Sequence, residues 1–494
     1  MNILIRYFLL IGSLLSFIAG VIFEEPMVLL VATLFIFAHN IAYSVKQFYE
    51  RILFLCFNVT FFIFLIGRLV VAGIFDYTST SVGMFGTAFD DVEVVNTIIT
   101  SLYLSLIALF IGYTLIQKTK LNFLDRKKEL SSGYLNSLRF FSLAFFYFCM
   151  IFRLIYVYQM KQTAVTEGYF ESFMTFQSTL PSILVKISEM YDVALFAYLA
   201  TMPTKKKSLF PILLYLGEGL FSAMAGRRSI LMLNLLIVFI YYCIRSIRKE
   251  DNQDKQEVEV VKERKWLGKF EYTLASIGLP ILLVFMTFIG KLRTDFSGGQ
   301  QSSSFKDSIL EFFYSQGISV NLIGYTKIYE SYIPKGKLFT FGPLMEFVDN
   351  KIIRPLQGLP EYFGQTAERA INGHLFAHTL TYIIMPSAYL LGYGYGSSFV
   401  AELYNDFGFM GVFFGSIVYG AIIYVIFYMI RNSHYVLIIF ALMMARSILF
   451  APRGASLSFI VSAFSMPKIA AVLFILIGAK LLYALVGNKR FVLR

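Results

Sequence analysis

The chain has 494 residues, 57% of them hydrophobic and 15% charged, with a formal net charge of +12 and a mean hydropathy of +0.68. Soluble domains hold about 45–50% apolar and about 25% charged residues, so the composition excludes an ordinary soluble fold and predicts an all-α polytopic membrane protein. The basic surplus falls mostly in short loops between apolar runs, where it encodes membrane orientation, and this argues against a nucleic-acid partner.

Apolar stretches of bilayer length predict about twelve spans, at 3–23, 27–45, 52–74, 94–117, 138–160, 184–202, 209–226, 229–245, 271–290, 410–430, 435–451 and 468–487. The first carries no small-residue cleavage site followed by a soluble domain and reads as a retained span. Cys56, Cys149 and Cys243 all lie inside apolar runs, with no disulfide or metal-ligand spacing.

One set of loops is cationic: Lys46 and Arg51; Lys118, Lys120, Arg126, Lys127 and Lys128; Lys205, Lys206 and Lys207; Arg245, Arg248, Lys249, Lys262, Arg264 and Lys265; and the C-terminal Lys489, Arg490 and Arg494. The alternate loops carry Glu24, Glu25, Asp90, Asp91 and Glu93. By the positive-inside rule the first set and both termini are cytoplasmic. Two connections are long. The charge run at 245–269 reads as a solvated cytoplasmic connector. The segment 291–409 is external by the alternation; its aromatic and glycine content argues against disorder, so short helices are expected there, partly re-entering the membrane interface.

Arg227 and Arg228 follow Gly226 between two apolar runs, on the external face, against the positive-inside bias. They serve either as interfacial anchors on lipid phosphates or as a bidentate diphosphate clamp. In ARSILFAPRG, Arg446 lies about two turns inside the external end of a span and Arg453 at its exit. An arginine within a span faces a cavity or pathway, or is paired. Arg68, Arg153, Glu218 and Lys480 are further charges inside spans, while Lys186, Glu189 and Asp192 fall on one face of the predicted sixth span.

The large loop opens with GKLRTDFSGG, which supplies Arg293. Further on, GHLFAHTLTY sets His374 and His378 four residues apart, without the glutamate or third ligand of a zinc motif, so no metal is expected. The glycines of GYGYGSSFVAELYNDFGFMGVF resemble a nucleotide loop only superficially, since no strand precedes them. They read as a turn before a helix bearing Glu402, Tyr404, Asn405 and Asp406. A carboxylate there suits sugar hydroxyls or general-base work, and equally a structural role.

GRR at 226–228, GSSFVAELYNDFGFMGV at 396–412 and ARSILFAPRG at 445–454 together resemble the O-antigen and capsule repeat-unit polymerases of the Wzy type. The architectural likeness covers nearly the whole chain and the motifs about a tenth of it. The resemblance implies a GT-C-like helical polymerase or ligase architecture in the bacterial inner membrane, with its active site on the external face. It implies undecaprenyl-diphosphate-linked oligosaccharides as substrates, no cofactor, and a chain-length regulator and a flippase of the same pathway as partners. The growing glycan would leave its lipid diphosphate and join a hydroxyl of the incoming unit. External arginines would hold the diphosphates, here Arg227, Arg228, Arg293, Arg446 and Arg453. The base is left open between His378 and Glu402. Tyr389, Tyr393, Tyr395, Tyr404 and Asp406 are expected to meet the glycan. A lipid-linked oligosaccharide flippase and an O-antigen ligase are the alternatives. A transporter should carry midplane charges and paired half-repeats; here the arginines gather on one side.

Overall fold

The computed structural model describes residues 3–78, 83–119, 121–125, 130–166, 176–253, 266–269, 271, 273, 278 and 305–486. Every regular element among them is helical. The chain runs α1 (Ile3–Ile22), α2 (Pro26–Lys46), α3 (Ile52–Phe75), α4 (Val92–Gln117) and α5 (Ser132–Thr166). It continues as α6 (Ser182–Ser188), α7 (Tyr191–Ala200), α8 (Lys205–Met224) and α9 (Arg228–Gln253). Beyond the undescribed stretch come α10 (Phe305–Gln316) and α11 (Asn321–Ile328). Next is α12, built from Gly342–Val348, a π-turn at Asp349–Ile353 and Arg354–Leu356. Then follow α13 (Ala367–Asn372), α14 (Phe376–Ile384), α15 (Pro386–Leu390), α16 (Phe399–Asn432), α17 (Tyr435–Ile448), α18 (Ser458–Ala463) and α19 (Met466–Val486).

Eight stretches among the described residues are long and apolar enough to cross a membrane, and α17 is a shorter apolar helix. The span expected at 271–290 lies outside the described residues. The span expected at 184–202 is divided: α6 ends at Ser188 and α7 starts at Tyr191. Lys186 and Glu189 are therefore exposed while Asp192 is buried, so the three do not share one helical face.

The centre of the bundle is the pair α4–α16. A Cβ on Gly112 would sit 1.9 Å from the Ile417 carbonyl oxygen, and one on Gly420 would sit 2.2 Å from that of Leu109. Only glycine lets the two backbones approach so closely, as is common between membrane helices. Ser105 and Ser416 hydroxyls bond across the seam at 2.8 Å. α16 also breaks at Gly408, whose φ of 62° and ψ of −154° are open essentially to glycine alone. Its first two turns thus belong to the loop and the remainder to the bundle.

The described part of the large loop does two things. α10 packs against α3, and α11 against α4 and α16, so both extend the bundle. α12 to α15 form a cap laced by ion pairs: Arg369 with Glu346 at 2.8 Å, Arg354 with Glu368 at 2.9 Å and Lys351 with Glu361 at 2.6 Å. At the opposite end of the bundle, the cationic short loops are tied down by their own bonds. Arg51 donates to the Tyr43 carbonyl at 2.6 Å, Arg139 to that of Thr201 at 3.0 Å and Arg245 to that of Pro203 at 3.1 Å.

Candidate functional site

At the loop-bearing end, α8 turns into α9 through Gly226, which sits at φ 87°, and the Arg227 amide closes the turn on the Ser222 carbonyl at 2.9 Å. Arg227 and Arg228 are half-buried on this turn. Six residues deeper along α9, about 9 Å at 1.5 Å per residue, lies the fully buried Asn234. Six residues back along α8 lies Glu218, also without exposed surface. These positions open a polar seam between α5, α7, α8, α9, α17 and α19.

Glu218 is the hub of the seam. It pairs with Arg153 at 2.8 Å and accepts from the Tyr191 hydroxyl at 3.0 Å and the Ser222 hydroxyl at 2.7 Å. A buried carboxylate needs such partners, because its desolvation is offset only by close charge and full hydrogen bonding. The second buried carboxylate, Asp192, is met by Lys468 at 3.1 Å and by its own neighbour's amide, Val193, at 2.7 Å. Each carboxylate therefore has its cation. Arg446 is an additional one. Its Nε donates to the Asn234 side-chain oxygen at 3.0 Å, and Asn234 in turn donates to the Tyr215 carbonyl at 3.3 Å. Among the described residues no carboxylate lies within ion-pair distance of Arg446. A half-buried guanidinium oriented by a neutral amide has the fork chemistry that suits carboxylate and phosphate oxygens.

The other predicted arginines divide. Arg453 donates through Nη1 to the Gln316 carbonyl at 3.2 Å and to the Gln316 side-chain oxygen at 3.1 Å. It thereby sits at the C-terminal end of α10, where a cation meets unpaired carbonyls favourably. Arg68 is a backbone clamp: it donates to the carbonyls of Gly86 and of Tyr314, the latter at 2.8 Å, and lies over the Tyr314 ring at 3.8 Å. Arg293 lies outside the described residues.

The loop candidates fall in two groups. Glu402, on the first turn of α16, has no exposed surface. One oxygen accepts from the Ser397 hydroxyl at 2.6 Å, the other from the Ser456 amide at 2.7 Å. Asp406 accepts from the Thr340 amide at 2.7 Å and from Asn405 at 2.9 Å, and Ser456 donates to the Thr340 carbonyl. These two carboxylates fasten the loop to the bundle. In the second group, His378 on α14 meets the Tyr389 hydroxyl through Nδ1 at 2.9 Å, and Tyr389 donates onward to the Thr366 carbonyl at 3.4 Å. Burial, and then the nearby Arg369 charge, push the His378 pKa down to about 4, so the ring is neutral near pH 7. Its Nε2 has no hydrogen-bond partner among the described residues. His374 precedes α14 and faces Asp349 at 3.7 Å, so the two histidines are directed to different partners.

Tyr389 is fully buried and supports His378 rather than the surface. Tyr393 is exposed, and Tyr395 is half-buried against Tyr325 with ring centroids 5.1 Å apart. Tyr404 is half-buried against Phe409 at 5.3 Å. Asn234 and Lys468 were not distinguishable as site residues by pattern; the signal was a lone polar side chain within an apolar helix, which only the fold could pair.

A bundle of apolar helices with a folded loop at one end, and a guanidinium-bearing polar seam beneath it, defines an all-α multi-pass membrane protein. A family model for O-antigen polysaccharide polymerase Wzy matches residues 5–485. The chain belongs to that family, and its part in polysaccharide biosynthesis is that of an O-antigen polymerase. No curated protein and no solved structure matches it.

Proposed function

We propose that this chain polymerises undecaprenyl-diphosphate-linked repeat units at the external leaflet of the bacterial inner membrane, with the large loop on the outside. The bond between the donor's anomeric carbon and the phosphate oxygen breaks, and a bond from that carbon to an acceptor sugar hydroxyl forms. The departing lipid diphosphate carries away the electron pair, and the acceptor hydroxyl gives up its proton. No nucleotide is consumed.

The observation that carries this reading is the surplus charge of Arg446. Negative charge grows on the diphosphate as the anomeric bond breaks, and a fixed cation there stabilises the transition state more than the ground state. Asn234 holds Nε, the Tyr215 hydroxyl lies beside the guanidinium, and its remaining N–H donors are assigned to phosphate oxygens. Arg227 and Arg228, at the mouth of the seam, are assigned to the same diphosphate or to that of the acceptor; Arg293 and Arg453 are assigned to their approach. His378 is the better-supported base. It is neutral, is oriented by Tyr389 and has an uncommitted nitrogen, whereas both oxygens of Glu402 are engaged. Glu402 and Asp406 then act by positioning the loop. Tyr393, Tyr395 and Tyr404 are assigned to sugar rings, and Tyr389 to holding His378.

The test is deletion of the gene, with the polysaccharide resolved on a gel. Loss of the ladder with a single repeat unit still transferred is expected. Loss of all transferred glycan would instead point to a flippase or a ligase. Purified protein in bilayers given only lipid-linked repeat units should release lipid diphosphate in step with chain growth.

A further inference from the structure

α12 presents an apolar stripe that nothing in the described chain covers. Met345, Val348, Ile352 and Leu356, spaced three or four residues apart, are 50%, 40%, 49% and 83% exposed, and Phe363 just beyond is 90% exposed. Such spacing places them along one side of the helix. The other side is firmly held. Glu346 binds Arg369 and accepts from the His374 amide at 2.8 Å, and Arg354 binds Glu368. The stripe is therefore the outward side of a packed element.

Where the helix starts says what it meets. Its foot, Thr340, is fixed to Asp406 and Ser456, at the turn where α16 and α18 leave the bundle on the loop-bearing side. Immediately beyond Asp406, α16 exposes Met410, Phe414 and Val418, at 66%, 56% and 56%, the lipid-facing side of a span. The two apolar surfaces thus adjoin at one level of the molecule. The residues flanking the stripe are those of a membrane interface: Lys351, exposed and paired with Glu361, and Tyr362 beneath the Arg354 guanidinium at 3.9 Å. An amphipathic helix with an apolar side and basic flanks lies in the interface plane.

We propose that α12 is an interfacial helix whose Met345–Leu356 side, with Phe363, is buried in the hydrocarbon of the leaflet on the loop-bearing side. Through Arg369–Glu346 it sets the depth of the cap that carries His378. A single helix side is far narrower than the roughly 800 Å² per partner that a stable protein interface requires, which favours lipid over a second copy. The inference stands on the membrane fold and does not require the polymerase mechanism.

The test uses the full chain in phospholipid nanodiscs. Met345→Cys, Ile352→Cys, Leu356→Cys and Phe363→Cys each carry a nitroxide, with Glu330→Cys, exposed on α11's side of the loop, as the aqueous reference. The native cysteines are buried and do not compete. At all four stripe positions the label should collide with oxygen several-fold more than with a polar nickel chelate, and Glu330→Cys should show the reverse. Labels as open to nickel as the reference would overturn the proposal. So would labels shielded from both reagents, which would indicate a protein partner or a second copy. Phe363→Trp should in addition be quenched by lipids brominated on the acyl chain; no quenching also counts against it.

Discussion

Replacing Arg446 and Asn234, singly and together, separates a diphosphate clamp from a structural arginine. Arg446→Ala removes a charged donor from the leaving group, a loss of about 10²–10³ in rate by comparison with oxyanion-hole donors. Asn234 makes the bond that orients the guanidinium, at 3.0 Å. A hydrogen bond to a charged group contributes about 1.5–3 kcal/mol, so Asn234→Ala should slow transfer by roughly 10–100-fold at about 1.4 kcal/mol per tenfold. Because Asn234 acts through Arg446, the double variant should be no slower than Arg446→Ala alone, a coupling expected of residues in direct contact. Arg446→Lys keeps the charge but loses the fork and the Nε bond, and should recover only part of the rate. The assay is single-turnover release of lipid diphosphate from a lipid-linked repeat unit in proteoliposomes, with folded protein normalised by gel filtration. Multiplicative losses in the double variant, or wild-type turnover in Arg446→Ala, would refute the assignment.

Arg153→Met leaves Glu218 buried without its cation and should destabilise the protein by about 3–5 kcal/mol, while Arg153→Met with Glu218→Leu should regain most of that; the thermal midpoint in detergent reads both. For His378, an unfolded imidazole takes a proton near 6.5 and the folded one only near 4. The stability tied to its neutral form is complete above about pH 6.5 and drains away as the pH falls toward 4. His378→Gln should flatten that part of a stability profile, and wild-type polymerisation should show no inflection near pH 6.5 from this residue. Glu402→Ala frees the Ser397 hydroxyl and the Ser456 amide and should raise protease sensitivity of the loop; Glu402→Gln should restore order and activity together, whereas a catalytic base would not be rescued. Gly112→Val drives a side chain into the Ile417 carbonyl, and little folded protein should reach the membrane.

Much of the architecture was legible because hydrocarbon length and loop charge are one-dimensional signals. The runs at 94–117 and 435–451 became α4 and α17, and Lys205 and Arg245 fell at the same end. Local geometry was less so. The Ser188–Tyr191 break that separates Glu189 from Asp192 has no proline or glycine to announce it. Arg446 was visible as a charge in an apolar helix, but its surplus character depends on Asn234, Glu218 and Lys468, which lie in other helices. From residue type Glu402 read as a candidate base and Asp406 as a glycan contact; nothing in a sequence says that amides from Ser456 and Thr340 will come to meet them.

The surplus charge in the seam has a consequence for the resting protein. Three cations, Arg153, Lys468 and Arg446, face two carboxylates, Glu218 and Asp192, so on the proposed reading a small anion drawn from solution would balance the seam and an arriving lipid diphosphate would displace it. Inorganic pyrophosphate should therefore compete with donor lipid, and the apparent affinity for that lipid should depend on which salt fills the buffer, not merely on how much.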